Sequence, residues 1–120
     1  MAETAAMRVT AHRMRELRLA LGERSLASRF GDPVAYVDAD LLFHRRVAQA
    51  SGNVLGSSLH DMAGIGLRPE LRAAAHRLVS DPRLEQLHAA LVDAIERGRG
   101  GLAGRAAALI ASIEMEARPP

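Results

Sequence analysis

The 120-residue sequence has no cysteine, no tryptophan and no lysine, and it has only one tyrosine and two phenylalanines. Without cysteine, neither a disulfide framework nor a thiolate metal site can form. So few aromatic rings argue against a platform that stacks the bases of single-stranded nucleic acid. The 16 basic residues are all arginine, and 14 acidic residues interleave with them to leave a net charge of only +2. This charge pattern does not favour nucleic-acid binding by the chain itself.

Long apolar runs are also missing from the sequence. No stretch approaches the roughly 20 residues that a membrane-spanning helix needs, and the amino terminus lacks the basic region and apolar core of a secretory signal. A chain of 120 residues is long enough for one domain that buries roughly two thirds of its unfolded surface. We therefore expect residues 1–120 to form a single domain with no membrane partner.

The sequence does contain long helix-forming segments that are separated by turn signals. Alanine and leucine are abundant and no segment alternates with period two, which predicts an all-α antiparallel bundle with short loops. Asp32-Pro33 and Asp81-Pro82 are typical of helix starts, and Gly22 is expected to end the first helix. About six helices are predicted, over residues 3–21, 33–51, 54–65, 69–79, 82–97 and 101–116.

Two of the predicted helices carry polar residues inside their apolar stripes. Asp40 and His44 are one turn apart and lie in the middle of an apolar arc, whose members are Val34, Val37, Leu41, Val47 and Ala48. His88 is central in the stripe formed by Leu84, Leu87, Leu91, Val92 and Ile95. By the same count, three other histidines point away from the apolar faces of their helices: His12, His60 and His76.

The inward polar residues are candidate metal ligands. An ionised carboxylate that faces a core destabilises the fold by several kcal/mol unless it is paired or binds a metal. Imidazole and carboxylate together suit zinc and similar divalent ions, so Asp40, His44 and His88 together predict a metal site. The alternative is a hydrogen bond between Asp40 and His44 and a His88 that is satisfied by a backbone carbonyl.

Three stretches of the sequence resemble the C-terminal effector domain of the FadR branch of GntR-type bacterial transcription regulators, the FCD domain. Asp40-Leu-Leu-Phe-His44, followed by Val47-Ala-Gln-Ala-Ser-Gly-Asn53, is similar to that family's Asp-x-x-Phe-His…Ala-Ser-Gly-Asn signature. His88-Ala-Ala-Leu-Val-Asp-Ala-Ile-Glu-Arg-Gly98 is similar to its His-x-x-Ile-x-x-Ala-Ile-x-x-Gly stretch. Residues 103–113 fall where the last helix of the family is expected.

The resemblance implies a bundle of six or seven helices around a divalent metal that is held by one aspartate and three histidines. Asp40, His44 and His88 match three of these ligands. The position of the fourth falls on Ile110, which is apolar, and Glu114, one turn further on, is a candidate replacement. The expected ion is zinc, or otherwise nickel or manganese.

The resemblance also implies that the domain senses a small organic acid in the centre of the bundle, with or without a metal. Asn53 or a nearby arginine is expected to be an additional donor to this ligand. The family binds DNA through a winged-helix domain that precedes the effector domain and is absent from residues 1–120. Because only one helix precedes the Asp40 helix, the first helix of the bundle is expected to be missing or shortened. The resemblance further implies a cytoplasmic homodimer.

Two other functions fit the same residues. The first is a structural or dimerising bundle in which the metal site has decayed, as Ile110 suggests. The second is an enzyme with an open metal centre, but no nucleophile motif is present and Glu114 is the only general base available beside the cluster. We therefore expect no enzymatic activity.

Overall fold

The structure, a computed structural model, describes residues 5–51, 77–79 and 81–116, and the side chains of residues 10–50, 77–79 and 81–116. These residues contain no strand. Their four helices are α1 (Ala5–Phe30), α2 (Pro33–Ser51), α3 (Pro82–Glu96) and α4 (Gly100–Glu116). The predicted all-α fold is confirmed. The predicted helix 54–65 and most of the predicted helix 69–79 lie outside the described residues.

Two aspartates begin their helices as the sequence predicts. Asp32 Oδ1 accepts the backbone N–H of Val34 at 3.0 Å, and Asp81 Oδ1 accepts that of Arg83 at 2.9 Å. These bonds satisfy N–H groups of the first turn that have no partner inside the helix. A proline at the first helical position completes both starts, because it has no N–H to satisfy.

The first helix is longer than predicted. It does not end at Gly22 but continues to Phe30, where Gly31 adopts a φ of 70° and donates its N–H to the carbonyl of Ala27 at 3.1 Å. A glycine inside a helix destabilises it by only about 1 kcal/mol, which the packing of the next two turns outweighs. The extension places Arg24 in the core, with 1% of the residue exposed.

The helices pack as two neighbouring pairs. The connection between α1 and α2 and that between α3 and α4 are both short, so each pair is antiparallel, and α1 and α2 both also contact α3. The core draws on all four helices and on two residues that precede α3. Its fully buried large apolar side chains are Leu17, Tyr36, Phe43, Val47, Leu78, Leu84, Leu91 and Ile110.

The predicted buried faces are correct for α3 and partly wrong for α2. Every residue of the predicted α3 stripe is buried or packs against the core. On α2, Val34 is 72% exposed and Ala48 is also exposed. The buried face is rotated towards Tyr36 and Phe43, whose rings bury more apolar area than Val34 and Ala48 would. His12 is exposed, as predicted, and the other two outward histidines lie outside the described residues.

Candidate metal centre

Four polar side chains meet in the centre of the described bundle. Asp40 and His44 come from α2, His88 comes from α3 and Glu114 comes from α4, and all four are buried. One nitrogen or oxygen atom of each residue lies within 4.8 Å of those of the other three. The predicted burial of Asp40, His44 and His88 is confirmed, and Glu114 joins them from one turn beyond Ile110.

Asp40 is placed between the two imidazole rings. Its Oδ2 lies 3.4 Å from His44 Nε2, and its Oδ1 lies 3.4 Å from His88 Nε2. Ligand atoms that surround a tetrahedral zinc ion at about 2.1 Å are separated from one another by about 3.4 Å. The spacing of these nitrogen and oxygen atoms therefore fits a small divalent cation as well as it fits a weak direct contact.

The orientation of His88 is fixed by its backbone neighbour. Its Nδ1 lies 2.6 Å from the carbonyl oxygen of Leu84, and a carbonyl can only accept, so Nδ1 carries the proton. In the neutral ring, Nε2 then presents a lone pair to Asp40. Phe43 packs against the ring with centroids 4.9 Å apart. Metal-binding histidines commonly donate their second ring N–H to such a carbonyl, which orients the first nitrogen.

Arg24 of α1 is the counter-ion of Asp40. Its Nε donates to Asp40 Oδ1 at 2.9 Å, and its Nη2 donates to the hydroxyl of Tyr36 at 2.8 Å. The guanidinium also lies over the Tyr36 ring, 5.0 Å from the centroid. Its third nitrogen, Nη1, has no hydrogen bond and lies 3.6 Å from Glu85 Oε2, which links the buried cluster to the half-exposed start of α3.

Several buried atoms of the cluster have no hydrogen-bond partner. They include both ring nitrogens of His44, Nε2 of His88, Oδ2 of Asp40 and both carboxyl oxygens of Glu114. A buried polar group without a partner destabilises a fold by about 1–3 kcal/mol, so such a concentration requires an explanation. In the neutral imidazole and ionised carboxylate forms, one nitrogen of His44 carries the ring proton and every other atom of this set has a lone pair. A cation is the partner that would satisfy these lone pairs together.

Burial and neighbouring charges set the pKa values of the cluster. Burial lowers the pKa of His44 and of His88, although Asp40 acts against this effect in both cases. Burial alone would raise the pKa of Asp40, but His44, His88 and Arg24 outweigh it and hold the pKa below its ordinary value. The pKa of Glu114 is raised well above 4.5, first by burial and then by the charge of Asp40. Neutral imidazoles and an ionised Asp40 are the forms that bind metal.

The family model of the FCD domain matches residues 1–112. The chain belongs to the FCD domain family. FCD domains are the C-terminal effector-sensing domains of GntR-family transcription regulators, which are not enzymes and which bind DNA through another domain. No curated protein and no solved structure gives a significant match.

This FCD domain thus brings together three ligand candidates that its sequence indicated, and Glu114 with them. Asn53 lies outside the described residues. The burial of Arg24 was not predicted, because glycine is a common end of a helix and Gly22 precedes it. A signal was present, since Arg24 is seven residues after buried Leu17, on the same face of a continuous helix. Among the described residues, no helix is long and apolar enough to cross a membrane.

Proposed function

We propose that this FCD domain binds a divalent metal ion through Asp40, His44, His88 and Glu114 and senses a small organic acid beside it. The observation that carries the proposal is the buried, four-residue cluster in which six of the eight side-chain nitrogen and oxygen atoms have no hydrogen-bond partner. Two imidazoles and two carboxylates are a ligand set open to zinc, nickel or manganese. Glu114 takes the role that the family pattern would give to a histidine at Ile110.

The charges of the cluster support a divalent ion. Asp40 and Glu114 are buried and Glu85 lies at the edge of the same network. When ionised, these three carboxylates balance Arg24 and one divalent ion, and the histidines remain neutral. Without the ion, Glu114 faces the charge of Asp40 and has no donor of its own. The raised pKa of Glu114 is consistent with this repulsion.

The organic-acid part of the proposal rests on Arg24. A bound divalent ion would supply a Lewis-acidic centre that accepts a carboxylate oxygen. Arg24 adds a permanent positive charge at the same place, and its Nη1 has no hydrogen bond. Nη1 can donate an N–H to a carboxylate oxygen of the ligand, and a hydrogen bond from a charged donor to a carboxylate is a strong one. We infer that Arg24 is the arginine donor that the sequence predicts without locating it, and that Asn53 assists it.

Signalling follows from where the residues originate. Arg24, Asp40, His88 and Glu114 belong to four different helices, so a ligand that draws them together favours one packing of the bundle over another. In the full regulator this would change the placement of the DNA-binding domains. We propose that the domain acts in the cytoplasm as part of a homodimer.

The second candidate is a structural bundle that needs no metal. The observation in its favour is the bond between Arg24 and Asp40, because the guanidinium supplies part of the positive charge that an ion would otherwise supply. In that case Ile110 marks a lost site, and His88 is satisfied by the carbonyl of Leu84 alone.

Metal analysis of the purified protein separates the two candidates. We expect about one zinc, nickel or manganese ion per wild-type chain by elemental mass spectrometry, before or after reloading at neutral pH. His88→Ala removes an imidazole ligand and should lose the ion. His12→Ala is the matched control, because His12 is exposed on α1, and it should retain the ion. If the reloaded wild type holds no metal, the metal site is refuted, and a bundle that needs no metal replaces it.

A further inference from the structure

A cavity opens to solvent between α1 and the start of α3. It has a volume of about 390 Å³, and its walls include Ser25 and Ser28 on α1 and Glu85 and Gln86 on α3. Glu85 connects this cavity with the buried cluster. Its side chain is 44% exposed, yet its Oε2 lies 3.6 Å from Nη1 of Arg24, which is buried. The carboxylate of Glu85 therefore stands between the cavity and the guanidinium.

The contact between Glu85 and Arg24 is loose. At 3.6 Å the two atoms are too far apart for a hydrogen bond. Among the described residues, neither Nη1 of Arg24 nor Oε2 of Glu85 has another hydrogen-bond partner. The second oxygen of Glu85, Oε1, accepts the hydroxyl of Ser25. Ser25 and the attraction of opposite charges thus hold Glu85 in front of Arg24, without a hydrogen bond to the guanidinium.

Helix stability alone does not explain this position of Glu85. Glu85 is the acidic residue in the first turn of α3, where a negative charge is favourable because it lies near the positive end of the helix dipole. That effect requires only that the carboxylate lie near the turn, and it does not require an oxygen buried beside a guanidinium of α1. A Glu85 that only stabilises its helix would also leave the binding of anions unchanged, so the two roles predict different results.

Exchange of one carboxylate for another at Arg24 preserves the local charge. Arg24 is paired with Asp40, and an ionised Glu85 adds a second negative charge beside it. A ligand carboxylate that replaces Glu85 leaves this balance as it was, and the displaced side chain can move into the open cavity and remain hydrated. An uncharged ligand would leave Arg24 with one negative neighbour fewer. The arrangement therefore favours anions over neutral molecules.

We propose that a small carboxylate ligand enters through this cavity and displaces Glu85 from Nη1 of Arg24, so that Glu85 is a built-in competitor of the ligand. Displacement also breaks the bond between Ser25 and Glu85, which joins α1 to α3, and so changes how these helices are held together. This inference rests on the proposed function, in which Arg24 binds the organic acid, but it does not depend on the metal. It adds the route of the acid and a residue that sets its affinity.

An NMR titration with acetate tests the proposal, because acetate is a carboxylate with almost no other group. Isotope-labelled protein is first freed of metal with a chelator, which is then removed by dialysis. The Nε–H of Arg24, which donates to Asp40, reports on the guanidinium. Its resonance should shift as acetate is added at constant ionic strength, and the backbone amides of Ser28 and Gln86 should shift over the same concentrations. Acetamide, which has no charge, should shift none of them.

Glu85→Gln should lower the dissociation constant for acetate by about fivefold, because it removes the competing charge from Arg24. Glu96→Gln is the matched control. Glu96 is on the same helix, its side chain is also 44% exposed and it pairs with Arg18 of α1. Both variants remove one negative charge and one contact with an arginine of α1. Glu96→Gln should nevertheless leave the dissociation constant that is measured at Arg24 unchanged.

Ser25→Ala tests the competitor without a change of charge. The variant removes the hydroxyl that Glu85 Oε1 accepts, so Glu85 is displaced more easily. The dissociation constant for acetate should fall about twofold, in the same direction as in Glu85→Gln but by less. In a chain that already carries Glu85→Gln, the same substitution should have no further effect, because no competitor is left.

Three results would overturn the proposal, and they differ in what they imply for the proposed function. If Glu85→Gln binds acetate no more tightly than wild type, or if Glu96→Gln gains as much, Glu85 is not a competitor, but Arg24 still binds the acid. If Arg24 shifts and the amides of Ser28 and Gln86 do not, the ligand arrives by another route. If acetate shifts Arg24 in no variant, acid binding at Arg24 is refuted as well. The metal site is measured separately, so its failure alters none of these results.

Discussion

Asp40→Ala should abolish metal binding and should also destabilise the metal-free domain by about 3–5 kcal/mol. The substitution removes the carboxylate that accepts from Arg24 at 2.9 Å and leaves a guanidinium that is 1% exposed without its counter-ion. Removing one partner of a buried ion pair is strongly destabilising, because the remaining charge has neither its partner nor water around it. Chemical denaturation in the presence of a chelator measures this change in the free energy of unfolding without the contribution of the metal.

Asp38→Ala is the control for this experiment. Asp38 is on the same helix, two residues before Asp40, and it is exposed, so its loss should change the free energy of unfolding by less than about 0.5 kcal/mol. Glu114 lowers the effect of Asp40→Ala to some extent, because it can ionise once the repulsion of Asp40 is removed and then neutralise Arg24. The effects of Asp40→Ala and Glu114→Gln should therefore not be additive. A change for Asp40→Ala as small as that for Asp38→Ala would contradict the buried ion pair and favour the structural bundle.

Glu114→Gln should stabilise the metal-free protein and destabilise the metal-bound protein, each relative to wild type. In the metal-free protein, the pKa of Glu114 is raised above its ordinary value of 4.5. A group with a raised pKa contributes stability that is fully present below its unfolded pKa and is lost as the pH rises through its folded pKa. Glutamine has no proton to lose, so the metal-free variant should become progressively more stable than the wild type as the pH rises above 4.5.

With the metal present, the difference in stability between Glu114→Gln and wild type has the opposite sign. The ion needs the ionised carboxylate and displaces the proton of Glu114, so the affinity of the wild type rises with pH and its stability rises with it. The variant lacks this ligand, so the metal stabilises it less than it stabilises the wild type. Thermal unfolding from pH 5 to pH 8, with chelator and with added metal, measures both differences.

The comparison between two variants isolates Glu114 from its titrating neighbours. Asp40, Arg24, His44 and His88 face the same cluster, and the two histidines have lowered pKa values. Their contribution falls as the pH falls below 6.5, but it is present in wild type and variant alike and cancels in the difference. Glu116→Gln, an exposed change on the same helix, is the matched control. A difference between Glu114→Gln and wild type that does not vary with pH would refute the raised pKa.

Helical periodicity was sufficient to predict part of the cluster. Asp40 and His44 occupy successive turns of α2, and His88 lies among leucines, so a period of 3.6 residues places each of them in the core. Periodicity could not establish that α2, α3 and α4 direct these residues to one point, because that depends on how the helices pack. The family resemblance supplied that link, and the structure brings Glu114 to the same point.

Two errors have definite physical causes. Gly22 was expected to end α1 because glycine is a common residue after a helix, but the burial of Leu17 and Arg24 on one face stabilises the helix through it. Val34 was placed in the apolar arc of α2, where each apolar residue has equal weight. The area buried by Tyr36 and Phe43 is larger, and it determines the rotation of the helix.

The cluster has a consequence for the lifetime of the folded state. The cluster and its counter-ion Arg24 come from positions 24 to 114 of the sequence, so they assemble only when all four helices have docked and residues far apart in the chain have met. Interactions that form after the transition state change the unfolding rate and leave the folding rate almost unchanged. We therefore expect an ion bound here to slow unfolding, and so to prolong the time the domain stays folded, without changing the folding rate.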